Sequence, residues 1–489
     1  MKYSWWCAAS LAAPAWAKLT LVPRDAPAVV EMSTERNRIS NPVARDQARR
    51  TKRDNSVQVT LDNEQTLYFA NVSLGTPKQD LRMVIDTGSS DLWVNAPNST
   101  LCENKKNQCQ ISGTYDGSSS STYKYVNPYF NITYADGSQA AGEYASDTLH
   151  IGGATLKDFE FGIGYISSSP EGVLGIGYST NEAIVQTSHP TYNNLPKAMV
   201  DSGLIKSNAY SLWLNDLDAN TGSILFGGVN TKKYHGPLQT LPIEPIRGTY
   251  AEFIIALTGV AMTNSSGTTT YNTQALPSAV LLDSGSSLSY LPNDIVRLLY
   301  NDLDVALDQS GNGYLPCRLA SEDIKVSFTF TSPTIEVSMS ELLLDVGNGL
   351  TFNNGDRACA FGIAPAGNSI AVLGDTFLRS VYVVYDLANH EISLAKTNFN
   401  STEDHIVEIG TGTNAVPSAT AVSNPVTSVA GEGGGGPRIG GPHSGTGVFS
   451  AATAAATTTS KGGAVARPTA MPGQLAALGM VGAGALLVL

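Results

Sequence analysis

The 489-residue sequence is poor in charge and lacks the short motifs of several enzyme classes. Only 15% of its residues are charged against 42% hydrophobic, which is the composition of a globular protein with a sizeable core. It contains no Cys-x-x-Cys or His-Glu-x-x-His spacing, which disfavours a zinc site. It also lacks Gly-x-Ser-x-Gly, and its six histidines form no constellation, which disfavours a serine hydrolase.

Positive charge is scarce outside the N-terminal region. Residues 1–53 carry ten Lys or Arg and four acids, whereas residues 463–489 carry only Arg467. With a total of −12, this leaves a net charge of −19 on residues 54–462. So acidic a body argues against nucleic acid as a partner. It suits a protein that works at low pH, where protonation reduces self-repulsion.

The N-terminal region resembles a secretory leader followed by a propeptide. Lys2 precedes an apolar run over residues 5–15 that is too short to span a bilayer, and residues 15–17 form a small-x-small cleavage site. A buried N-terminal helix is the alternative. Residues 18–53 are basic and end in a dibasic pair, which predicts a propeptide cleaved after Arg53; the alternative is a solvated basic arm. Such a propeptide could hold an acidic body inactive until its carboxylates protonate.

The C-terminal region predicts a stalk and an anchor signal. Residues 400–462 are rich in Ser, Thr, Gly and Ala, which predicts a flexible, O-glycosylated stalk. Residues 463–489 contain a spacer and an apolar terminal tail, the pattern of a glycosylphosphatidylinositol (GPI) attachment signal that is removed. The predicted attachment residue is Gly462, with Ser460 as the rival. A tail-anchored helix or a simple apolar end is the alternative to an anchor.

Cysteines and glycosylation motifs are consistent with secretion. Cys7 lies in the leader, and an even number of four cysteines outside it fits two disulfides formed in an oxidising compartment. Five Asn-x-Ser/Thr motifs predict N-glycosylation. The one at Asn71 lies within a predicted strand and is the least favoured. The five asparagines are Asn71, Asn98, Asn131, Asn264 and Asn400.

Between about residues 61 and 399, short β-branched and aromatic runs alternate with Gly, Asn, Asp and Pro. This pattern predicts an all-β body, which we divide into an N-terminal lobe over residues 54–237 and a C-terminal lobe over 238–399. The clearest predicted strands are Leu67–Leu74, Met83–Asp86, Ile224–Phe226, Val326–Phe330 and Val381–Asp386.

One long internal repeat justifies the division into two lobes. Residues 84–90 read Val-Ile-Asp-Thr-Gly-Ser-Ser, and residues 281–287 read Leu-Leu-Asp-Ser-Gly-Ser-Ser. A Val-Leu-Gly echo ends 89 residues after Asp86, and another ends 91 residues after Asp283. A single Asp-Thr-Gly would be better interpreted as an ordinary turn. Two matched copies with matched echoes predict two related lobes that each deliver one aspartate.

These motifs resemble those of the pepsin family of aspartic proteases over roughly residues 62–398. The resemblance implies a bilobal β fold, a central cleft that holds an extended peptide, and a monomeric enzyme. In that family the paired carboxyls lie about 3 Å apart and share one proton, so that one acts as general base on a water and the other as general acid. Neither a cofactor nor a metal is needed.

The resemblance assigns roles to individual residues. Asp86 and Asp283 are the expected catalytic pair. The residues expected to support them, by tying the two loops together or orienting the carboxylates, are Thr87, Gly88, Ser89, Ser284, Gly285 and Ser286. The family often has Thr where Ser284 stands, but Ser keeps the hydroxyl.

A flap and two disulfides are also implied. Residues 134–138, Tyr-Ala-Asp-Gly-Ser, resemble the flap hairpin that closes over substrate, with Tyr134, Asp136 and Gly137 facing it. Trp93 matches the indole that bonds the flap tyrosine; core packing is the alternative for Tyr134 and Trp93. The implied disulfides are Cys102–Cys109 and Cys317–Cys359.

The leader, dibasic site, stalk and tail together resemble the yapsin-like fungal branch, whose members often cleave beside Lys or Arg. Asp136 could supply an acidic group for this, or be an exposed turn residue. Apolar residues would equally support a hydrophobic preference. The rival functions are a non-catalytic surface protein on the same fold and a vacuolar or fully secreted protease without an anchor.

Overall fold

A computed structural model describes residues 28–37, 67–103, 108–134, 137–219, 221–347, 349–427 and 429. All of them belong to one unit, residues 1–441, and the second unit, residues 442–489, lies outside the described part. The predicted leader with Cys7, the cleavage site at Arg53, the flap residue Asp136 and the attachment residue Gly462 also lie outside it.

The described residues are mostly β-strand. The strands of the first half are β1 (Val30–Asn37), β2 (Leu67–Leu74), β3 (Gln79–Asp86), β4 (Leu92–Asn95), β5 (Lys124–Thr133), β6 (Gln139–Ile151), β7 (Ala154–Ser167), β8 (Gly172–Gly175), β9 (Ala209–Trp213), β10 (Thr221–Phe226) and β11 (Gly228–Asn230). Those of the second half are β12 (Tyr234–Pro242), β13 (Ile254–Leu257), β14 (Gly259–Asn264), β15 (Gly267–Thr270), β16 (Ser278–Leu282), β17 (Ser289–Leu291), β18 (Ala306–Leu307), β19 (Gly313–Pro316), β20 (Lys325–Thr329), β21 (Thr334–Ser338), β22 (Leu343–Asp345), β23 (Ala358–Phe361), β24 (Ile363–Pro365), β25 (Ala371–Leu373), β26 (Val381–Asp386), β27 (Glu391–Thr397), β28 (Ile406–Glu408) and β29 (Ala419–Ala421).

Helices are few and short. The α-helices are α1 (Leu195–Asp201), α2 (Asn293–Leu303), α3 (Met339–Leu342) and α4 (Asp375–Leu378). The 3₁₀ turns are Gly117–Ser119, Ser179–Asn181, Ala183–Thr187 and Cys317–Ser321. The longest, α2, buries Ile295, Val296 and Leu299 along one side, as expected of an amphipathic helix on a sheet. Within the described residues, no helix is long and apolar enough to cross a membrane.

The two halves of the chain share one large sheet, and the second half has further sheets of its own. A fourteen-stranded sheet has the order β29-β12-β27-β26-β9-β10-β1-β2-β3-β8-β4-β7-β6-β5, so strands of both halves meet in it. The second half adds a five-stranded sheet (β13-β16-β25-β17-β24) and two four-stranded sheets. One large apolar core extends through both halves. The prediction of an all-β fold is confirmed, and all five clearest predicted strands lie within or overlap observed ones.

The echo of the repeat is explained by strand pairing. The strand leading to Asp86, β3, pairs in parallel with β8, which carries the first Val-Leu-Gly. In the second half β16, which leads to Asp283, pairs in parallel with β25, which carries the second. Parallel partners need a crossover between them, so the two motifs of each copy cannot be adjacent in sequence.

The predicted propeptide range contains an ordered strand. Within residues 18–53, Val30–Asn37 forms β1, which pairs antiparallel with β10 on one side and with β2 on the other. Met32 and Thr34 are buried there. This stretch is therefore part of the large sheet in the intact chain.

The prediction of a flexible stalk from residue 400 is wrong for its first part, residues 400–427, which we call the C-terminal strap. Strand β28 pairs with β11, and β29 pairs in parallel with β12. Ile409 and Val416 are buried in an apolar cluster with residues of the large sheet. The composition is still that of a linker, but a few apolar residues suffice because a sheet edge and an apolar surface already exist to receive them.

Candidate active site

The two copies of the repeat meet, and each brings one aspartate to the same place. Asp86 ends β3, and Asp283 follows directly after β16. Both carboxyl side chains are almost completely buried, with 7% and 6% of their surface exposed. The side chain of Asp283 lies within hydrogen-bond reach of Asp86. The structure thus brings together the two residues that the sequence repeat singles out.

Matching hydrogen bonds hold the two carboxylates. In each copy, one carboxylate oxygen accepts a backbone N–H two residues on and the other accepts a serine hydroxyl three residues on. The bonds are Gly88 N–H at 2.8 Å and Ser89 Oγ at 2.6 Å to Asp86, and Gly285 N–H at 2.9 Å and Ser286 Oγ at 2.7 Å to Asp283. The arrangement fixes the orientation of both carboxylates with approximate twofold symmetry.

The glycines of the two turns allow the close approach. A Cβ placed on Gly88 would lie 2.6 Å from Asp283 Oδ1, and one placed on Gly285 would lie 2.5 Å from Asp86 Oδ1. Both distances are shorter than any real Cβ contact, so any other residue would push the carboxylates apart. Each aspartate therefore lies against the glycine of the opposite copy.

The electrostatics of the pair favour a protonated carboxyl. Burial raises the pKa of Asp86 to about 7, helped next by the negative charge of Asp283, while the bonds from Ser89 and Gly88 act in the opposite direction. Two carboxylates this close cannot both carry charge at low cost. The pair therefore holds a proton through the acidic range.

A reciprocal network ties the two loops together through the residues that follow the aspartates. Thr87 Oγ1 donates to the carbonyl of Leu282 at 3.0 Å and accepts the N–H of Ser284 at 3.0 Å. In return, Ser284 Oγ donates to the carbonyl of Ile85 at 3.1 Å and accepts the N–H of Thr87 at 3.2 Å. All of these groups are buried, so the network fixes the register of one half on the other.

The flap hairpin joins β5 to β6 and carries Tyr134. Trp93 Nε1 donates to the hydroxyl of Tyr134 at 2.7 Å, the contact that the resemblance implies. The turn closes with a bond from the Gly137 N–H to the Tyr134 carbonyl, and Gly137 has a φ of 74°, which favours glycine. Asp136 lies outside the described residues.

The base of the flap lies on a separate apolar cluster, which we call the flap-side cluster. Tyr134 and Tyr192 pack against it half-buried. Its buried members are Leu67, Phe69, Val84, Trp93, Phe130, Ile132, Ala140, Tyr144, Val173, Ala183 and Ile184.

Both implied disulfides are present. Cys102 and Cys109 have their Cα atoms 5.3 Å apart, and Cys317 and Cys359 have theirs 5.0 Å apart, within the usual range for a disulfide. The first closes a short loop in the first half, and the second joins β23 to a 3₁₀ turn of the second half.

The glycosylation motifs differ in accessibility. Asn71, Asn98 and Asn131 are exposed, and Asn264 is half-buried. The side chain of Asn71 points outward from β2, so its position in a strand is no obstacle to a glycan. Asn400 is different, because its side-chain amide nitrogen, the atom that would carry the sugar, donates to Asp216.

Sequence reasoning missed a buried acidic group beside the turn that follows Asp86, residues 86–91; we call this turn, and its counterpart at residues 283–288, the catalytic turn. Asp91 and Glu182 are completely buried, and they contact Tyr144 and Tyr192. The available signal was a difference inside the repeat, since the position that holds Asp91 in the first copy holds Leu288 in the second. Across the described ranges, no group of three or more His, Cys, Asp or Glu side chains is arranged to hold a metal ion.

Comparisons with known proteins agree with this site. Residues 67–397 match the eukaryotic aspartyl protease family. The chain is 61% identical over 470 residues to the "Probable aspartic-type endopeptidase opsB" of Aspergillus oryzae, covering 95% of each chain. It is 36% identical over 387 residues to the "Aspartic proteinase yapsin-3" of Saccharomyces cerevisiae, covering 76% of this chain and 73% of the yapsin.

A solved structure supports the fold. The aspartic proteinase from Irpex lacteus superposes with a TM-score of 0.57 at 19% identity, covering 77% of this chain and 99% of that one. At this identity the likeness concerns the fold alone. Taken with the family match and the high identity to endopeptidases, it shows that this chain belongs to the eukaryotic aspartyl protease family and is an aspartic-type endopeptidase.

Proposed function

We propose that this endopeptidase uses Asp86 and Asp283 to activate a water molecule at acidic pH, and that it works as a monomer anchored to the outer face of the cell membrane. The observation that carries the chemistry is the pair of buried carboxyls within hydrogen-bond reach of each other, held by matching bonds from the two halves.

The proposed reaction passes one proton around the pair. The ionised carboxylate takes a proton from the water as the water oxygen attacks the scissile carbonyl carbon, and the protonated carboxyl gives its proton to the carbonyl oxygen. The tetrahedral intermediate then collapses. A proton passes to the leaving nitrogen, and the pair returns to its singly protonated state with no covalent intermediate.

The pH range follows from the state of the pair. The reaction needs one proton on it, and the raised pKa of Asp86, about 7, supports retention of that proton from acidic pH to near neutrality. Activity should fall as pH rises through this value, because a doubly ionised pair has no acid to donate.

The chemistry is tested by cleavage of an unbiased peptide mixture between pH 3 and 7, with and without pepstatin, after removal of residues 18–53. Protein truncated after residue 429 keeps the C-terminal strap, whereas truncation after Asn400 would remove it. Pepstatin-sensitive cutting that disappears in Asp283→Asn supports the mechanism. Folded, processed protein that cuts nothing at any pH would instead favour a non-catalytic surface protein.

The same cut sites decide the preference around the cleaved bond. Cuts beside Lys or Arg would support a role for Asp136 as an acidic contact. Cuts beside large apolar residues would support direct contact with the flap-side cluster, which contains Phe, Tyr, Ile and Leu side chains.

Secretion and anchoring rest on the leader, the two disulfides, the glycosylation motifs and the terminal signal. Cell fractionation with phosphatidylinositol-specific phospholipase C tests them. Release of the enzyme by the lipase, and its loss to the medium when residues 463–489 are deleted, is the expected result. Free enzyme in the medium from the unaltered chain would support the secreted, unanchored alternative. Gel filtration checks the monomer.

A further inference from the structure

Asp91 lies five residues after the catalytic Asp86, at the end of the same turn, and no solvent reaches it. Burial raises the pKa of Asp91, and three hydrogen bonds counteract that effect. Burying a carboxyl costs free energy unless hydrogen bonds compensate for the lost water. The partners in those hydrogen bonds therefore show which segments the carboxyl joins.

Each bond to Asp91 comes from a different part of the chain. Its Oδ1 accepts the hydroxyl of Tyr144 at 2.8 Å and that of Tyr192 at 3.0 Å. Its Oδ2 accepts the N–H of Ala183 at 2.8 Å. One carboxyl therefore joins the catalytic turn to β6 and to both ends of the segment 182–192.

The segments joined in this way border the place where a peptide would lie. Strand β6 forms one side of the flap hairpin, and Ala183 and Tyr192 belong to the flap-side cluster or pack on it. Just before that segment, the amide of Asn181 donates to the carbonyl of Gly88 in the catalytic turn at 3.4 Å. Together, the flap-side cluster and residues 181–192 thus connect the flap with the catalytic turn.

A neighbouring carboxyl strengthens the same junction. Glu182 Oε2 accepts the N–H of Tyr192 at 2.9 Å, and Glu182 is completely buried. Burial and the charge of Asp91 raise the pKa of Glu182 to about 10, so it is neutral at working pH. Glu182 closes the 182–192 segment on itself, and Asp91 attaches the segment to the catalytic turn.

The fold itself does not require an acid at this position. In the second copy of the repeat the equivalent residue, Leu288, is buried in a purely apolar cluster with Tyr290 and Val372. That copy forms the same turn, with the same two bonds to its aspartate, around a leucine. Of these two equivalent positions, the one on the flap side holds the carboxyl and the other holds leucine.

We propose that Asp91 is a positioning residue for peptide binding, which holds the base of the flap and the 182–192 segment in register with Asp86. The substrate-binding wall under the flap is then formed before the peptide arrives, so less ordering is required on binding. This inference rests on the protease activity proposed above and concerns binding, not the chemical step.

The test replaces Tyr192 by Phe, which removes one bond to Asp91 and keeps the ring in the flap-side cluster. Binding of pepstatin is measured by calorimetry, and KM and kcat are measured on a cleaved peptide. We expect the Kd for pepstatin and the KM to rise about tenfold, with kcat changed by less than about twofold. Asp91→Asn should shift both further in the same direction.

The matched control is Tyr115→Phe, because Tyr115 lies in the first half and also donates its hydroxyl to a buried carboxylate, that of Asp147. Tyr115 is fully buried and Tyr192 is half-buried, so the control is the more severe test of general packing. It should lower Tm to a similar extent and leave Kd and KM unchanged. Unchanged Kd and KM in Tyr192→Phe, or equal shifts in the control, would overturn the inference while leaving the protease activity intact. Absence of pepstatin binding in the unaltered enzyme would overturn the proposed function as well.

Discussion

The first and second copies of the catalytic repeat share a backbone plan and differ in what surrounds it. Each has a strand ending at an aspartate, a parallel partner carrying Val-Leu-Gly, and the same two bonds to the carboxylate. Trp93 pairs with Val173 as Tyr290 pairs with Val372. The first copy, however, lies beside the flap hairpin and carries the hydrogen-bonded Asp91 at the position where the second carries Leu288. Under the proposed function, the shared features belong to the chemical step and the unshared ones to the binding of substrate.

The two halves also differ in their buried acids. Among the carboxyls of the described ranges, burial is the largest cause of a raised pKa for Asp86, Asp91, Glu160 and Glu182 in the first half and for Glu391 in the second. Such groups are easiest to bury when protonated. We therefore expect the first half to lose more stability than the second as pH rises.

The strongest test of the shared plan is removal of one carboxylate at a time. If the twofold pair acts as a unit, Asp86→Asn and Asp283→Asn should each lower kcat by about 10²–10⁴-fold, because each removes the proton exchange between the carboxyls. Steady-state assays on one peptide measure both, with circular dichroism to verify folding. A variant that keeps more than a tenth of the activity would show that one half can act alone.

The second test measures how much the C-terminal strap contributes to the stability of the fold. Deletion of residues 400–489 should lower the free energy of unfolding by about 3–6 kcal/mol, because the burial of Ile409 and Val416 is lost. The deletion also leaves Lys233, which is 7% exposed, without the carbonyl of Ser401 and the carboxylate of Asp404.

Urea denaturation compares that truncation with deletion of residues 430–489, which should behave like the full chain. Val416→Ala is the intermediate variant and should cost about 1–3 kcal/mol. Equal midpoints for the two truncations would mean that the strap is not part of the folded unit.

The third test compares how buried carboxyls of the two halves make stability depend on pH. Burial raises the pKa of Glu182 in the folded protein to about 10, from the usual 4.5 of a glutamate. Its contribution to stability is therefore complete below about pH 4.5 and is lost as pH rises towards 10. In that window it alone should remove about 1.4 kcal/mol per pH unit. The free energy of unfolding of Glu182→Gln should therefore vary less between pH 5 and 8 than that of the unaltered protein.

Stability is measured by urea denaturation at each pH. Glu391→Gln is the matched change in the second half, and since Glu391 is partly exposed its effect should be smaller. An equal or larger flattening by Glu391→Gln would contradict the assignment of pH sensitivity to the first half.

Sequence reasoning succeeds where a feature leaves a local pattern. Val381–Asp386 is a β-branched and aromatic run bounded by turns, so the strand could be found. Asp86 and Asp283 are repeated with their surroundings, so the pair could be found as well. The strap could not, because Ile409 and Val416 are isolated among linker residues and acquire meaning only from the sheet they meet. Glu182 was also missed, because a single acid shows nothing in sequence of its burial.

The smallest expected effect concerns the network that joins the loops. Thr87→Ser keeps the hydroxyl that bonds Leu282 and Ser284 and removes one methyl group, so stability should fall by only about 1 kcal/mol with kcat unchanged. It would also make the first loop chemically like the second, which already has Ser284. Thr87→Val keeps the shape of the side chain but removes the hydroxyl, which leaves two buried backbone groups without this partner. It should lower both stability and kcat more than Thr87→Ser does. If Val were tolerated as well as Ser, packing rather than hydrogen bonding would hold the two halves in register.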